Sequence, residues 1–286
     1  MPRGCHSICR LALLWAFGLL VVPIAGSAAT YNVEVMHSLT YTTPAGCAPL
    51  HLDLYRPMQL PGALPTVLAI HGGFWRSGDR TQLRDICGFF ASRGFAAVSI
   101  DYRLAPAYHY PAPLDDVCAA ARWIQAQAAT YHFDQQHLFA FGASSGAQLG
   151  ALLVMKHPPT CPHIAGVIDV FGPMDFTVLP PNPFAQLIVE DYLGTSQQQN
   201  PYLFADASPI THVQAGLPPF LIIQDPKDPV VPFAQSLAMQ AALKNAHIPV
   251  SFCPCSGLGH AAPDLRTPVG MQLLDALMQF LQPPTH

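Results

Sequence analysis

The sequence predicts an α/β domain in which a mostly parallel central sheet carries helices on both faces. Strand-like and helix-like segments alternate along most of the chain, and this order favours parallel strands joined by helices. The hydrophobic fraction is 51% and the charged fraction only 10%, which permits a large buried core and argues against disorder. The 286 residues contain no internal repeat or low-complexity block, so they fit one domain of the larger α/β kind.

The first residues have the pattern of a cleavable export signal. Arg3 and Arg10 give the first residues a positive charge. An uncharged apolar run follows from Leu11 to Ala25, and small residues stand at 27–29. The alternative is an uncleaved anchor, but the apolar run is short for a membrane span of ~20 residues. We therefore expect a signal peptide over 1–29, export to the periplasm or the medium, and no stable membrane insertion after cleavage.

Residues 30–286 are expected to form the single domain, with strands rich in β-branched, aromatic and other apolar residues. The first two strands are joined by the turn at 44–46, and the third runs into Gly72-Gly73. In chain order, the predicted strands are Val33 to Tyr41, Leu50 to Tyr55, Thr66 to His71, Ala96 to Asp101, His137 to Gly142, Ile164 to Phe171, Phe220 to Gln224 and Pro249 to Pro254.

The helical segments show apolar residues at a spacing typical of one buried face. They are Gln82 to Arg93, Pro113 to Ala128, Ser145 to Lys156, Pro232 to Ala246, and a C-terminal helix marked by Leu273, Leu277, Phe280 and Leu281. The segment 173–216 is rich in proline and is expected to be irregular, with one short helix from Phe184 to Tyr192. A large cap domain over the sheet is therefore not expected.

The segment 142–146, Gly-Ala-Ser-Ser-Gly, matches the pattern G-x-S-x-G between a predicted strand and a predicted helix. A sharp turn at this place exposes the central serine above the sheet, and its glycines allow neighbouring backbone to approach closely. Ser144 is the candidate nucleophile because it alone has glycine two positions away on both sides. Ser145 is its rival, and a simple helix N-cap is the alternative role for Ser144.

His71-Gly72-Gly73-Phe74-Trp75 follows a buried strand and suggests a site for a developing oxyanion. Backbone N–H groups aimed at such an oxygen stabilise the transition state of acyl transfer. We expect Gly73 and Phe74 to donate there, together with Ser145 next to the nucleophile. The aromatic ring of Trp75 is a candidate substrate-binding group beside this site. The alternative is an ordinary glycine turn.

A serine hydroxyl needs a base to take its proton, and in this kind of domain the order along the chain is serine, acid, histidine. His260 follows the last predicted strand and fits the base. Asp228 follows the strand that ends at Gln224 and fits the acid. Asp225 is the rival acid, but it lies only one residue beyond that strand.

These motifs, taken together over residues 45 to 280, resemble the α/β-hydrolase esterases. The likeness is greatest to the feruloyl and acetylxylan esterase-like group, with hormone-sensitive-lipase-like enzymes more distant. The segments that carry it are HGGFWRSGDR (71–80), DYRLAPAYHYPAPLDDVCAAARWI (101–124), FGASSGAQLGALL (141–153), FGPMDF (171–176), ASPI (207–210), PPFLIIQDPKDPVVPFAQS (218–236) and GLGH (257–260).

The resemblance implies an α/β-hydrolase fold and an acid in the DPVVP segment, which favours Asp228 over Asp225. It implies the same triad and oxyanion donors as the residue patterns above. Two positions depart from the family. Phe74 stands where hormone-sensitive-lipase-like enzymes usually carry a third glycine, and Gln224-Asp225-Pro226 stands where the loop often reads HGD. HGGFW is also similar to arylformamidases.

The expected function is an exported serine esterase that cleaves short-acyl or aromatic-acyl esters through an acyl-enzyme intermediate. The alternatives are an arylformamidase-like amide hydrolase, a lipase, and a catalytically silent binding protein on the same fold. The expected partner is a small-molecule ester, and esters linked to a carbohydrate are included in this expectation. The formal charge of −4 and the lack of a basic stripe argue against nucleic acid.

No metal and no organic cofactor are expected. Cys253-Pro254-Cys255 is not accompanied by a second pair of ligands with zinc spacing. An even number of cysteines in an exported chain permits disulfides, but the spacing does not select a pairing. The cysteines beyond the signal are Cys47, Cys87, Cys118, Cys161, Cys253 and Cys255.

Overall fold

The structure is a computed structural model that describes residues 30–156, 160–178, 182–261 and 263–281. The expected signal peptide at 1–29 lies outside these residues. Among the helices that are described, none has both the length and the apolar character needed to cross a membrane.

An eight-stranded sheet forms the centre, with the strand order β1-β2-β4-β3-β5-β6-β7-β8. The strand β2 pairs antiparallel with β1 and with β4, and every other neighbouring pair is parallel. The strands are β1 Val33–Thr42, β2 Leu50–Pro57, β3 Leu64–Ile70, β4 Ala96–Ile100, β5 Phe133–Ala143, β6 Gly166–Val170, β7 Phe220–Gln224 and β8 Val250–Pro254. Because β3 and β5 to β8 run parallel, the loops that follow them meet at one edge of the sheet.

Helices cover both faces, as the sequence predicts. Val117, Leu152 and Met239 bury the helices at 112–126, 145–155 and 233–245 against one face, while Phe90 and Leu277 bury those at 84–92 and 268–281 against the other. The helices are α1 Arg84–Ser92, α2 Ala112–Ala126, α3 Ala128–Tyr131, α4 Ser145–Met155, α5 Pro183–Leu193, α6 Pro201–Asp206, α7 Phe233–Asn245 and α8 Pro268–Leu281, with 3-10 turns at Arg80–Leu83 and Pro209–His212. The architecture is the predicted mostly parallel α/β sheet.

The segment between β6 and β7 is more ordered than the sequence analysis expects. Besides the predicted short helix, here α5, it contains α6 and a 3-10 turn. Asn200 caps α6 because its side chain accepts a hydrogen bond from the Leu203 amide at 3.2 Å, and Pro201 occupies the first turn. The pair Asn200-Pro201 is therefore a sequence signal for the start of a helix, although the segment is predicted to be irregular.

One disulfide joins Cys118 on α2 to Cys161, which lies shortly before β6. The Cα atoms of the two cysteines are 6.0 Å apart. The four other cysteines within the described residues, Cys47, Cys87, Cys253 and Cys255, are free thiols. The disulfide therefore ties α2 to the polypeptide that enters the centre of the sheet.

Candidate active site

Ser144 lies at the turn between β5 and α4, in an unusual backbone conformation with φ 53° and ψ −120°. Two glycines make the turn possible. A Cβ atom on Gly142 would overlap the backbone of Gly146, and a Cβ atom on Gly146 would overlap the carbonyl oxygens of Ile70 and His71. A non-glycine residue at positive φ stores strain that the surrounding packing must hold. The predicted G-x-S-x-G turn is therefore present, with the serine at the sheet edge where the loops meet.

His260 connects Ser144 to Asp228. Its Nε2 atom is 2.9 Å from the Ser144 Oγ atom, and its Nδ1 atom is 2.8 Å from Asp228 Oδ2. The other carboxylate oxygen accepts the amides of Val230 and Val231 at 2.8 and 3.0 Å. An ionised Asp228 selects the tautomer with hydrogen on Nδ1, which leaves Nε2 free to accept the serine hydroxyl. The arrangement can move a proton away from Ser144.

Asp225, the rival acid, does not contact His260. Its Oδ2 atom accepts the amides of Gly257 and Gly259 at 2.9 and 2.7 Å, and its Oδ1 atom accepts the amide of Lys227 at 2.8 Å. The hydrogen bonds from Gly259, Lys227 and Gly257 lower the pKa of the Asp225 carboxyl. Asp225 therefore shapes the loop that carries His260, while Asp228 is the carboxylate that reaches the imidazole.

Ser145, the rival nucleophile, points elsewhere. Its hydroxyl is buried and lies 3.5 Å from the Tyr102 hydroxyl. The amides of Ser145, Gly73 and Phe74 donate to no acceptor within the described parts of the chain. Within the described residues, no protein acceptor therefore competes for these three predicted donors.

The loop after β3, which carries two of the predicted oxyanion donors, turns sharply. Gly73 has φ 123°, and both Phe74 and Trp75 have φ 58°. A Cβ atom on Gly73 would overlap the Ser77 carbonyl, and the Gly73 carbonyl accepts the amides of Arg76 and Ser77 at 3.0 Å. Only glycine fits there, because any side chain would displace this tight turn.

The same loop is anchored by residues to which the sequence analysis gave no role. Arg80 donates from Nε to Asp53 at 2.8 Å and from Nη1 to Asp101 at 2.6 Å. Tyr102 donates its hydroxyl to the His71 carbonyl at 3.0 Å, and its ring stacks on the imidazole with centroids 4.2 Å apart. Burial lowers the pKa of His71. These contacts join segments that are distant in the chain, so no local pattern in the sequence indicates them.

A mostly apolar pocket opens beside Ser144, with about 530 Å³ of empty space including its mouth. Phe74 is 37% exposed at this pocket, whereas Trp75 is 2% exposed and only contributes to its wall. The Trp75 ring stacks on Tyr192 at 4.3 Å and donates its N–H to Gln148 at 3.0 Å. The remaining wall comes from the loop after β6, from α5, and from the acid loop with the start of α7: Pro173, Asp175, Phe176, Ala185, Ile188, Val189, Val230, Val231, Pro232 and Gln235.

Metal-binding side chains do not converge in the described residues. No group of three or more histidine, cysteine, aspartate or glutamate side chains is placed there so that it could hold an ion.

Comparison with known proteins assigns the family. The sequence profile of BD-FAE matches residues 52–243, which include Ser144 and Asp228. The chain belongs to the BD-FAE family. Among curated relatives, esterase LipQ of Mycobacterium tuberculosis is 31% identical over 80% of this chain and 58% of its own length. The probable carboxylic ester hydrolase LipM of the same organism is 28% identical over 81% of this chain and 57% of its own length. The chain thus spans little more than half the length of these relatives.

Solved structures of esterases share the fold of this BD-FAE chain. A structure described as a bacterial heroin esterase has a TM-score of 0.77 at 23% identity, covering 90% of this chain and 86% of its own. A truncated carbohydrate esterase from gut microbiota has a TM-score of 0.72 at 24% identity, covering 89% of this chain and 98% of its own. The predicted α/β-hydrolase fold is confirmed.

Proposed function

We propose that this BD-FAE chain is a carboxylic ester hydrolase that forms an acyl-enzyme intermediate on Ser144. The observation that carries the proposal is the continuous hydrogen-bonded path from Ser144 through His260 to Asp228, with contacts of 2.9 and 2.8 Å. Membership of the family and the esterase names of its relatives support the same reaction.

In the first half of the reaction, Ser144 Oγ attacks the acyl carbon while His260 Nε2 takes the hydroxyl proton. The carbonyl oxygen becomes an anion, which the amides of Gly73, Phe74 and Ser145 stabilise. The C–O bond to the alcohol then breaks, and the alcohol leaves with the proton held by His260. The products of this half are the free alcohol and an ester between the acyl group and Ser144.

In the second half, water attacks the acyl carbon and gives its proton to His260. The second tetrahedral anion collapses, the bond to Ser144 Oγ breaks, and the serine regains the proton. The carboxylic acid leaves and the resting site is restored. Asp228 remains ionised throughout, because its role is to orient the imidazole and stabilise the imidazolium.

The proposed substrates are esters with short or aromatic acyl groups. The pocket beside Ser144 is lined in part by the buried side chains of Trp75, Phe176, Ile188 and Val189. Aromatic rings in this wall suit a flat acyl group, since edge and face contacts between rings are favourable. Esters with a carbohydrate-linked alcohol are included among the proposed substrates.

Export of the chain is part of the proposal. The pattern of charge and hydropathy over 1–29 supports it, and so does the Cys118–Cys161 disulfide. Structural disulfides persist in oxidising compartments outside the cytosol.

The proposal is tested with purified wild-type protein and the Ser144→Ala and Ser145→Ala variants on p-nitrophenyl acetate. We expect Ser144→Ala to lose hydrolysis by ~10⁴-fold or more, with unfolding temperature near that of the wild type. Ser145→Ala is the matched control, because it keeps its backbone amide and should retain most activity. Loss of hydrolysis in Ser145→Ala with activity retained in Ser144→Ala would overturn the assignment.

A further inference from the structure

Gln224 contacts the acid of the proposed triad from a position that the mechanism does not use. It is the last residue of β7, and its side chain is completely buried. Its Nε2 atom donates to Asp228 Oδ2 at 2.8 Å. That oxygen is the one that accepts from His260 Nδ1 at 2.8 Å. One carboxylate oxygen therefore receives a hydrogen bond from the imidazole and another from the Gln224 amide.

The orientation of the Gln224 amide is fixed by its other partners. Its Oε1 atom accepts the hydroxyl of Ser236 on α7 at 3.0 Å, and its second amide hydrogen points to the Val231 carbonyl at 3.2 Å. A flipped amide would turn its oxygen toward both the Asp228 carboxylate and the Val231 carbonyl. Because two acceptor oxygens repel each other, only the orientation in which Gln224 Nε2 faces Asp228 and Val231 is compatible with these contacts.

We propose that Gln224 is a positioning residue that holds Asp228 in the orientation needed by His260, with Ser236 holding Gln224 in turn. This inference rests on the proposed ester hydrolysis. The backbone of Gln224 is itself fixed, because its carbonyl accepts the Cys255 amide at 2.9 Å. A rigid strand end thus aims a neutral donor at the carboxylate, in addition to the amides of Val230 and Val231 on the other oxygen.

Loss of this donor has two expected consequences for the reaction. Asp228 becomes less well oriented, so kcat falls while KM stays near the wild-type value, because Gln224 does not line the substrate pocket. Asp228 Oδ2 also loses one of its two hydrogen-bond donors, so its remaining hydrogen bond with His260 Nδ1 changes.

Other titratable groups lie around this network and stay the same in the test. Asp225 and Lys227 lie in the loop that follows β7, Cys253 lies near the end of β8, and Cys255 follows that strand. Asp169 lies on β6, the neighbouring strand on the other side. A shift seen only when Gln224 is changed is therefore assigned to its hydrogen bond with Asp228.

The test compares Gln224→Met, which keeps the length of the side chain but cannot donate, with Gln224→His, whose ring N–H can donate. Thr66→Val is the matched control, because Thr66 is a fully buried polar residue of β3 whose hydroxyl donates to the Leu64 carbonyl. We expect Gln224→Met to lose kcat by about 10- to 100-fold with little change in KM. Gln224→His, measured at pH 8, should recover most of this loss, and Thr66→Val should keep wild-type kinetics.

A second readout does not depend on ester turnover. The NMR resonance of the His260 Nδ1 proton reports its hydrogen bond with Asp228, and we expect this resonance to move in Gln224→Met relative to wild type. If the wild type fails to cleave esters but this resonance moves, the proposed function is wrong and the positioning role stands.

Ser236→Ala covers the case in which Gln224→Met does not fold. It removes only the hydroxyl that fixes the Gln224 amide, so we expect a smaller loss of kcat in the same direction, again with KM unchanged. Wild-type kcat in Ser236→Ala, together with an unmoved His260 Nδ1 proton resonance in folded Gln224→Met, would overturn the inference.

Discussion

Asp169 should make the protein less stable as the pH rises, and Asp169→Asn should remove that effect. The residue lies on β6 and is fully buried, with Oδ1 accepting the Gly172 amide at 2.8 Å. Its Oδ2 atom has no hydrogen-bond partner within the described residues. Burial raises the pKa of this carboxyl from 3.8 to about 7, because a charge there has lost its water. The neutral acid is therefore the form that the fold favours.

The direction of this pH dependence follows from the pKa of Asp169 in the folded protein and in the unfolded chain. The folded protein keeps the proton up to about pH 7, whereas the unfolded chain releases it near pH 3.8. Stability from this residue is complete below pH 3.8 and is lost as the pH rises through about 7. At 1.36 kcal/mol for each unit, the loss between pH 5 and pH 8 amounts to about 3 kcal/mol.

Asparagine resembles the neutral acid and keeps an acceptor for the Gly172 amide. We therefore expect the free energy of unfolding of Asp169→Asn, relative to wild type, to improve by about 3 kcal/mol from pH 5 to pH 8. Urea unfolding at several pH values measures this difference. Asp264→Asn is the control, because the pKa of Asp264 is lowered to about 2 and it does not titrate in this range. A difference between Asp169→Asn and wild type that stays constant from pH 5 to pH 8 would refute the reasoning.

Three further predictions concern the site and the disulfide. In steady-state kinetics, Asp228→Asn should reduce kcat/KM by ~10²- to 10⁴-fold, and His260→Ala should reduce it by more because the histidine carries the proton. A larger loss in Asp225→Asn than in Asp228→Asn would contradict this. Across p-nitrophenyl acetate, butyrate, octanoate and palmitate, kcat/KM should be highest for the short acyl groups. It should fall gradually with acyl length, because each methylene that does not fit costs only ~1 to 3 kcal/mol. A maximum at octanoate or longer would indicate a lipase. Replacing Cys118 and Cys161 together by alanine should lower the free energy of unfolding by roughly 2 to 4 kcal/mol in calorimetry, and an unchanged transition would show that the link does not stabilise the fold.

Much of the fold could be predicted because the local signals agree with the final packing. The strand Phe220–Gln224 has the predicted bounds, and the helix that begins at Ser145 starts where the glycine-flanked serine indicates. The strand β5 begins at Phe133, four residues before the predicted start at His137. Residues 134–136 are polar and partly exposed, so hydropathy alone gives no reason to extend the strand across them.

The site was less completely predictable, because its supporting contacts join distant segments. Ser144, Asp228 and His260 stand in recognisable motifs, and the structure brings them together. Gln224 and Arg80 have no motif of their own. Their partners are fixed only when the strands are paired and the loops meet at one edge of the sheet. A sequence pattern records the residue type at each position, but it does not record which way a buried amide points.

The central claim is that Ser144 is the activated nucleophile, and one labelling experiment tests it directly. A fluorophosphonate forms a stable bond only with a serine whose proton is removed by a neighbouring base. After incubation with the wild-type protein, mass spectrometry of the digested chain should find one phosphonyl group per molecule, on the peptide that contains Ser144. His260→Ala should abolish the label while remaining folded. A folded wild-type protein that takes up no label, or one labelled on Ser145 instead, would contradict the account.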